Sequence, residues 1–238
     1  MKNLILIMSM VLFVSVGHAK TELMKTDSKS ISVILDAGHG GVNPITNTYV
    51  TNGNRSPLWE DDTIYYEGVG NRDIVKHASI LLLNKGIDTV FTVEPENYKD
   101  VALYKRVNTA NKHYLNKNKK AILISVHSNG FRKESANGTE VFTSPGKTKS
   151  DTIATIWMEE FKSLFPEIKQ RTDFDDNDID KEAKYTIIND TICPAILVET
   201  MFHTNYKECK MLLDPKIRQR IALAICNTVE KVILKNIV

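Results

Sequence analysis

Apolar residues along the chain fall into two alternating rhythms. Nearly continuous apolar runs occur at ISVIL (31–35), TVFTV (89–93), AILISV (121–126) and AILVE (195–199), with shorter ones inside GTEVFTSPG (138–146) and at YTII (185–188). Short apolar runs bounded by turn formers read as buried strands, and strands apolar on both faces are typical of parallel sheets. Between them the spacing becomes helical: Ile74, Val75, Ala78, Leu81 and Leu82 share one face of 71–84, with Gly86 just beyond its end. Leu103, Val107, Ala110 and Tyr114 do the same in 103–115, and 150–165 is amphipathic with Ser150 as its cap. YKECKMLL (206–213) and 215–234 close the chain, the latter opening on Pro215, where a first-turn proline belongs. Strands alternating with helices predict an α/β domain with a mainly parallel sheet. One stretch breaks the rhythm: Pro44 to Tyr66 is long and polar, a length that marks a functional or a disordered loop.

The beginning of the chain does not belong to this pattern. Lys2, an apolar run from Leu4 to Val16, then Gly17, His18 and Ala19 describe a cleavable signal peptide over 1–19. The run is about 13 residues, short of the roughly 20 that span a bilayer, which disfavours an uncleaved anchor. This leaves 20–30 as a linker and 31–238 as one domain, exported to the periplasm, cell envelope or exterior. A net charge of +2 spread over 238 residues gives no basic patch, so nucleic acid is not expected as a partner. Cys193, Cys209 and Cys226 lack C-x-x-C spacing, which disfavours a thiolate metal or redox site. They read as buried small hydrophobes, with a Cys209–Cys226 bridge left open. A monomer is expected.

Candidate chemistry gathers at strand ends. VILDAGHGG delivers His39 into a loop of glycines, His127 ends AILISVH, and Glu199 ends AILVE. Glu67 stands just ahead of the helix expected at Asn71. Ligands of open α/β sheets bind at the carboxyl ends of strands. Two histidines and a carboxylate form a recurrent catalytic zinc shell, and a second, unbound carboxylate can take a proton from water. The small loop would then let metal and substrate approach the backbone. Alternatives are weaker. A phosphate cradle would need G-x-G-x-x-G or G-K-[ST], and neither is present. His77 and His113 lie in helical patterns and read as surface residues. His203, four residues after Glu199, is a rival ligand. The acidic run 173–182 lacks the central glycine and twelfth-position glutamate of a calcium loop and reads as solvated.

These motifs, in this order, resemble the zinc-dependent N-acetylmuramoyl-L-alanine amidases, a family of cell-wall hydrolases. LDAGHGG is similar to the family's first ligand motif, YEGVGNRDIV to its glutamate motif and ISVHSNG to its last ligand motif. LYKRVNTAN resembles its arginine-bearing helix, and PAILVETMFHTN its final strand with the catalytic glutamate. The resemblance implies Zn²⁺ held by His39, Glu67 and His127, with Glu199 as general base. It implies a twisted, mostly parallel sheet of about six strands with helices on both faces. It also implies peptidoglycan or its fragments as substrate, cut between N-acetylmuramic acid and the L-alanine of the stem peptide. Three departures stand out: the long loop between His39 and Glu67, Val93 where arginine is common, and His203 after Phe202. No activator protein and no separate wall-binding module can be named from the sequence. The rival readings are another zinc amide hydrolase or peptidase on the same scaffold, and a non-catalytic wall-binding protein.

Overall fold

The computed structural model describes residues 31–175 and 178–238. The signal peptide and linker expected over 1–30 lie outside the described residues. The main sheet has six strands: β1 (Ser32–Ala37), β4 (Thr89–Phe91), β5 (Ala121–Asn129), β6 (Glu140–Thr143), β7 (Lys181–Glu182) and β8 (Ala195–Phe202). Their order is β4-β1-β5-β8-β6-β7. All neighbours pair in parallel except β6 with β8, which run antiparallel. A two-stranded hairpin, β2 (Val42–Asn43) with β3 (Thr48–Tyr49), stands apart.

Successive strand residues point to opposite faces, and both faces are covered. Val33, Leu35, Ile122, Ile124, Ile196 and Val198 pack beneath α1 (Glu67–Asn84), α3 (Lys149–Leu164) and α6 (Pro215–Leu234). Ile34, Leu123, Ala195 and Leu197 face the smaller layer of α2 (Leu103–Asn116) and α4 (Thr186–Asn189). Burial of this aliphatic surface on both faces is the main stabilising contribution, at about 25 cal/mol per Å². Residues 127 on β5 and 199 on β8 share the parity of 123 and 197. They therefore lie on the α2/α4 face, at the carboxyl end of the sheet.

The structure corrects several expectations. YTII is not a strand; Thr186–Asn189 is one helical turn, α4, which buries Ile187 and Ile188 against the sheet, and the edge strand is β7 instead. TVFTV is a strand only through Phe91; Thr92 still donates its backbone N–H to the Leu35 carbonyl at 3.1 Å and sets its hydroxyl on the Asp36 carboxylate. Ser150 is not the cap of α3: Thr148 and Asp151 form a capping box, and Ser150 Oγ instead accepts the Ala195 N–H at 3.0 Å. The cysteines, by contrast, are all buried and free as expected, and the Cys209–Cys226 bridge left open by the sequence is not formed. Cys209 Sγ instead accepts a hydrogen bond from Trp59 Nε1 at 3.2 Å. His77 and His113 are half-buried, paired with Asp73 and with the Ser32 hydroxyl.

The 44–66 loop is a built element. Its second half folds back on itself through the Arg55–Tyr66 bridge and the Ser56 N–H to Tyr65 carbonyl bond. α5 (Tyr206–Leu213) clasps it through Trp59 and a Lys210–Asp61 ion pair. Of the acidic run, Asp180 is buried rather than solvated, and it accepts a hydrogen bond from the Thr143 hydroxyl at 2.6 Å. Burial pushes its carboxyl up to about 6 against that hydrogen bond, with Asp178 and Asp151 adding to the rise.

Candidate active site

His39, Glu67 and His127 converge. One donor atom from each lies within 4.8 Å of the others, and among the described residues this is the group of His, Cys, Asp and Glu that could hold a metal ion. His39 Nε2 is 3.3 Å from Glu67 Oε2, and His127 Nδ1 is 3.0 Å from Glu67 Oε1. Donors about 2.0–2.1 Å from a tetrahedral ion stand roughly 3.3 Å apart; the two histidine–carboxylate separations are of that size, each to a different oxygen of Glu67. The donor types, two imidazoles and a carboxylate, fit zinc among divalent cations.

Each donor is placed by a different local device. Helix α1 starts at Glu67 itself, four residues earlier than expected, so Asn71 sits one turn on and on the same face. Asn71 Nδ2 donates to Glu67 Oε1 at 3.4 Å and to the Gly38 carbonyl at 3.3 Å. The Ser128 N–H donates to the same carboxylate at 3.1 Å. Burial alone would raise the Glu67 carboxyl, but the hydrogen bonds and charges of His127 and His39 offset it, and the carboxyl is lowered well below its ordinary range.

The glycines answer to packing. A Cβ on Gly38 would fall 2.2 Å from His127 Cε1, so the site excludes a side chain there to seat the second imidazole. A Cβ on Gly68 would fall 1.9 Å from the Gly40 carbonyl oxygen, where α1 docks onto the loop. The room therefore serves a histidine ring and a helix end, rather than the substrate approach expected from the sequence. His39 itself has φ of 64°, a conformation costly for a residue with a Cβ. Two buried arginines hold it: Arg72 Nη1 donates to the His39 carbonyl at 2.8 Å and Arg106 Nη2 at 3.1 Å.

Beneath this loop lies a buried ion pair. Arg106 Nη1 is 3.0 Å from Asp36 Oδ1 and also donates to the Ala37 carbonyl. Ser125 donates to Asp36 Oδ2 at 2.6 Å. Burial by itself would raise the Asp36 carboxyl; Arg106, with the Ser125 and Thr92 hydroxyls, outweighs it and holds the group below its ordinary value.

Glu199 lies beside the cluster. It pairs in register with His127 on β5 and with Glu140 on β6, so three titratable side chains form a row across adjacent strands. β8 continues to Phe202, so Glu199 lies inside the strand rather than at its end. Its Oε2 is buried and has no hydrogen-bond partner. An orphaned carboxylate oxygen beside a metal-type cluster is a reactive arrangement. Burial pushes the Glu199 carboxyl well above its ordinary value, with the Glu67 and Glu140 carboxylates adding. Glu140 is itself held by Arg171 and by Lys181, the latter at 3.2 Å.

Sequence reasoning missed three contributors. Asn54, in the long loop, places its side-chain amide 2.7 Å from His39 Nδ1 and its carbonyl 3.1 Å from the Glu67 N–H. Glu140 and the carbonyl-binding role of Arg72 were also missed. Asn54 carries no local signal, whereas Arg72 stands next to Asn71 and could have been paired with it. His203 is not in the cluster. It is buried, with Nδ1 2.9 Å from the Ser128 carbonyl, which its ring N–H can reach, and its ring stacks on Tyr65.

A twisted α/β sheet carrying two histidines, a buried carboxylate and a second unpartnered carboxylate at its carboxyl end is the arrangement of a metal-assisted hydrolase. The family model for N-acetylmuramoyl-L-alanine amidase matches residues 33–231, and the chain belongs to that family. It is 28% identical over 249 residues to the N-acetylmuramoyl-L-alanine amidase AmiA of Salmonella typhimurium, spanning 89% of this chain and 78% of that protein. To AmiA of Escherichia coli it is 27% identical over 251 residues, spanning 90% and 79%. Ami1 from Mycobacterium smegmatis shares the fold, with a TM-score of 0.70 at 19% identity, covering 87% of this chain and 99% of that one. The CwlD amidase of Clostridioides difficile, solved in complex with the GerS lipoprotein, aligns at 0.66 with 22% identity over 87% of this chain and all of that one.

Proposed function

We propose that this enzyme is a zinc-dependent amidase that hydrolyses the bond between N-acetylmuramic acid and L-alanine in peptidoglycan or its fragments. The observation that carries this reading is the His39–Glu67–His127 cluster with the unpartnered Glu199 carboxylate beside it. His39, Glu67 and His127 would hold the ion. When bound, zinc supplies Lewis acidity toward the amide carbonyl and a nucleophilic water at neutral pH. Glu199 Oε2 accepts the proton of the attacking water and passes it to the amide nitrogen, which leaves as the amino group of L-alanine. Glu140 draws Arg171 and Lys181 to itself, which leaves Glu199 without a cationic partner and keeps it basic enough to serve. Arg72 and Arg106 fix the His39 backbone, and Asn71 fixes the Glu67 carboxylate. The export expected from residues 1–19 would suit a wall substrate. The proposal is tested by metal analysis with mass spectrometry of digested peptidoglycan. Close to one zinc per chain, loss of hydrolysis on chelation and release of peptides with free L-alanine amino termini are expected. Full activity in a metal-free preparation, or cleavage elsewhere in the peptide, refutes it.

Asn54 has a definite place in this scheme. Asn54 Nδ2 faces His39 Nδ1 in the structure; if His39 offers Nε2 to the ion, Nδ1 carries the proton, and the Asn54 amide, flipped about its last torsion, accepts it through Oδ1. Outer partners of this kind are worth about 10–100-fold in metal affinity. Asn54→Ala is therefore expected to weaken zinc binding by that factor in a competition titration with a chromophoric chelator. An unchanged affinity would show that the long loop does not orient His39.

A further inference from the structure

Strand β1 stops opposite Val126, whose carbonyl takes the Gly38 N–H at 3.0 Å. Two residues on, Ser128 faces the same way with no strand beside it, and it is buried. Its backbone N–H and carbonyl must therefore find other partners. The N–H goes to Glu67 Oε1 at 3.1 Å. The carbonyl goes to His203, whose ring Nδ1 stands 2.9 Å away. A carbonyl only accepts, so Nδ1 carries the proton. The Ser128 hydroxyl is 3.2 Å from the same nitrogen. We propose that His203 and Thr200 are positioning residues for Glu67: they hold the two peptide groups that flank Ser128, and so aim its N–H at the carboxylate. The inference rests on the reading of Glu67 as a zinc ligand.

An irregularity of the sheet delivers both side chains. His127 pairs with Glu199 and Asn129 with Phe202, so two steps along β5 match three along β8. An extra residue of this kind is a bulge, which re-aims side chains and recurs beside active sites. Thr200 follows Glu199 directly, and its hydroxyl donates to the His127 carbonyl at 3.1 Å. That carbonyl and the Ser128 N–H belong to one planar peptide unit. Thr200 therefore holds one end of the plane whose other end serves Glu67. His203 holds the next plane through its ring, and its own backbone N–H anchors it on the Asn129 carbonyl at 2.8 Å.

The imidazole has little freedom to do anything else. His203 is buried and stacks on Tyr65, with ring centres 6.4 Å apart and planes inclined by 29°. Gly130 makes room for it: a Cβ there would fall 2.8 Å from His203 Nε2. Besides the two histidines, Glu67 Oε1 has the Asn71 side-chain amide at 3.4 Å and the Ser128 N–H at 3.1 Å. A backbone donor keeps its aim only while its peptide is fixed, and Thr200 and His203 supply that fixation.

The test measures zinc affinity by competition with a chromophoric chelator, and exchange of the Ser128 amide in the metal-free protein by NMR. Outer partners of a metal ligand are worth about 10–100-fold in affinity, and these two act one step further out, so Thr200→Val and His203→Leu should each weaken zinc by about tenfold. The Ser128 amide should exchange faster in both, while the amides of β1 keep their rates. Thr200→Ser keeps the hydroxyl, and His203→Asn places an amide N–H where Nδ1 stood, so both should bind zinc nearly as the wild type does. A role in packing alone would lower stability in urea and leave zinc affinity unchanged. That result, or a loss of affinity that neither conservative variant reduces, overturns the inference. Where a variant does not fold, the metal-free wild type still decides: imidazole NMR should show His203 as the Nδ1–H tautomer with a slowly exchanging Ser128 amide, and the Nε2–H tautomer overturns the inference. A wild type that binds no zinc would sink the reading of Glu67 as a ligand, while faster Ser128 exchange in the variants would still support Thr200 and His203 as what aims that N–H.

Discussion

Arg106→Ala is expected to destabilise the folded chain by about 3–5 kcal/mol, the usual cost of breaking a buried pair by removing one partner. The side chain is 2% exposed, and its loss strands the Asp36 carboxylate, equally buried, without its cation. It also releases the carbonyls of Ala37 and His39, so the left-handed turn at His39 loses one of its two arginine clamps. Urea denaturation is the measurement, and a loss below about 1 kcal/mol would show that the pair is not what holds the loop. The effect has a pH signature. Asp36 titrates below its ordinary value of 3.8 in the folded protein, so its contribution is present above that value and fades as pH falls through the folded pKa. The gap between wild type and Arg106→Ala should therefore narrow below about pH 4. Zinc affinity of whatever folded variant remains should fall as well, because the His39 carbonyl is then held by Arg72 alone.

That ion pair shows where the sequence stops being legible. The apolar runs that became β1, β5 and β8 face helices on both sides, so they announce themselves through continuous hydrophobicity. His39, His127 and Glu199 could be read because each interrupts such a run with a group that has no reason to be near a core. Glu67 was legible as a ligand candidate but not as the first residue of α1: its helix start has no side-chain cap and is set by docking of Gly68 onto Gly40. YTII misled because four β-branched and aromatic residues satisfy a strand pattern, while the surface they cover suits a single turn. Asn54 was invisible for a different reason. Its role depends on how the 44–66 loop folds back across fifteen residues to reach His39, and no local periodicity encodes that path. Glu140 depends likewise on the antiparallel register between β6 and β8, which is a property of the sheet and not of either strand.

The two carboxylates of the site are expected to fail in opposite ways. Glu67 lies between both histidines, with its two oxygens aimed one at each, whereas Glu199 Oε2 contacts no donor at all. Glu67→Gln exchanges an anionic oxygen donor for a neutral amide and leaves two imidazoles that had faced a negative charge. Zinc should bind much more weakly, by at least the 10–100-fold that even outer partners contribute, and activity should return in part when zinc is added in excess. Glu199→Gln keeps the size of the side chain and its place in the row between His127 and Glu140, but it cannot accept a proton. It should fold, retain one equivalent of zinc and lose turnover by roughly 10²–10⁴-fold, the range for general acid–base groups. Excess zinc should not restore it. Replacing an orphaned buried carboxyl by an amide also removes the charge that burial disfavours, so Glu199→Gln should be no less stable than wild type at neutral pH. Zinc content by elemental analysis, set beside kcat on one muropeptide, separates the assignments. If Glu199→Gln loses the metal and Glu67→Gln keeps it, the roles are exchanged. If Glu199→Gln turns over at the wild-type rate, the proton passes through another group, and His203, next to Ser128 at the edge of the cluster, becomes the residue to replace.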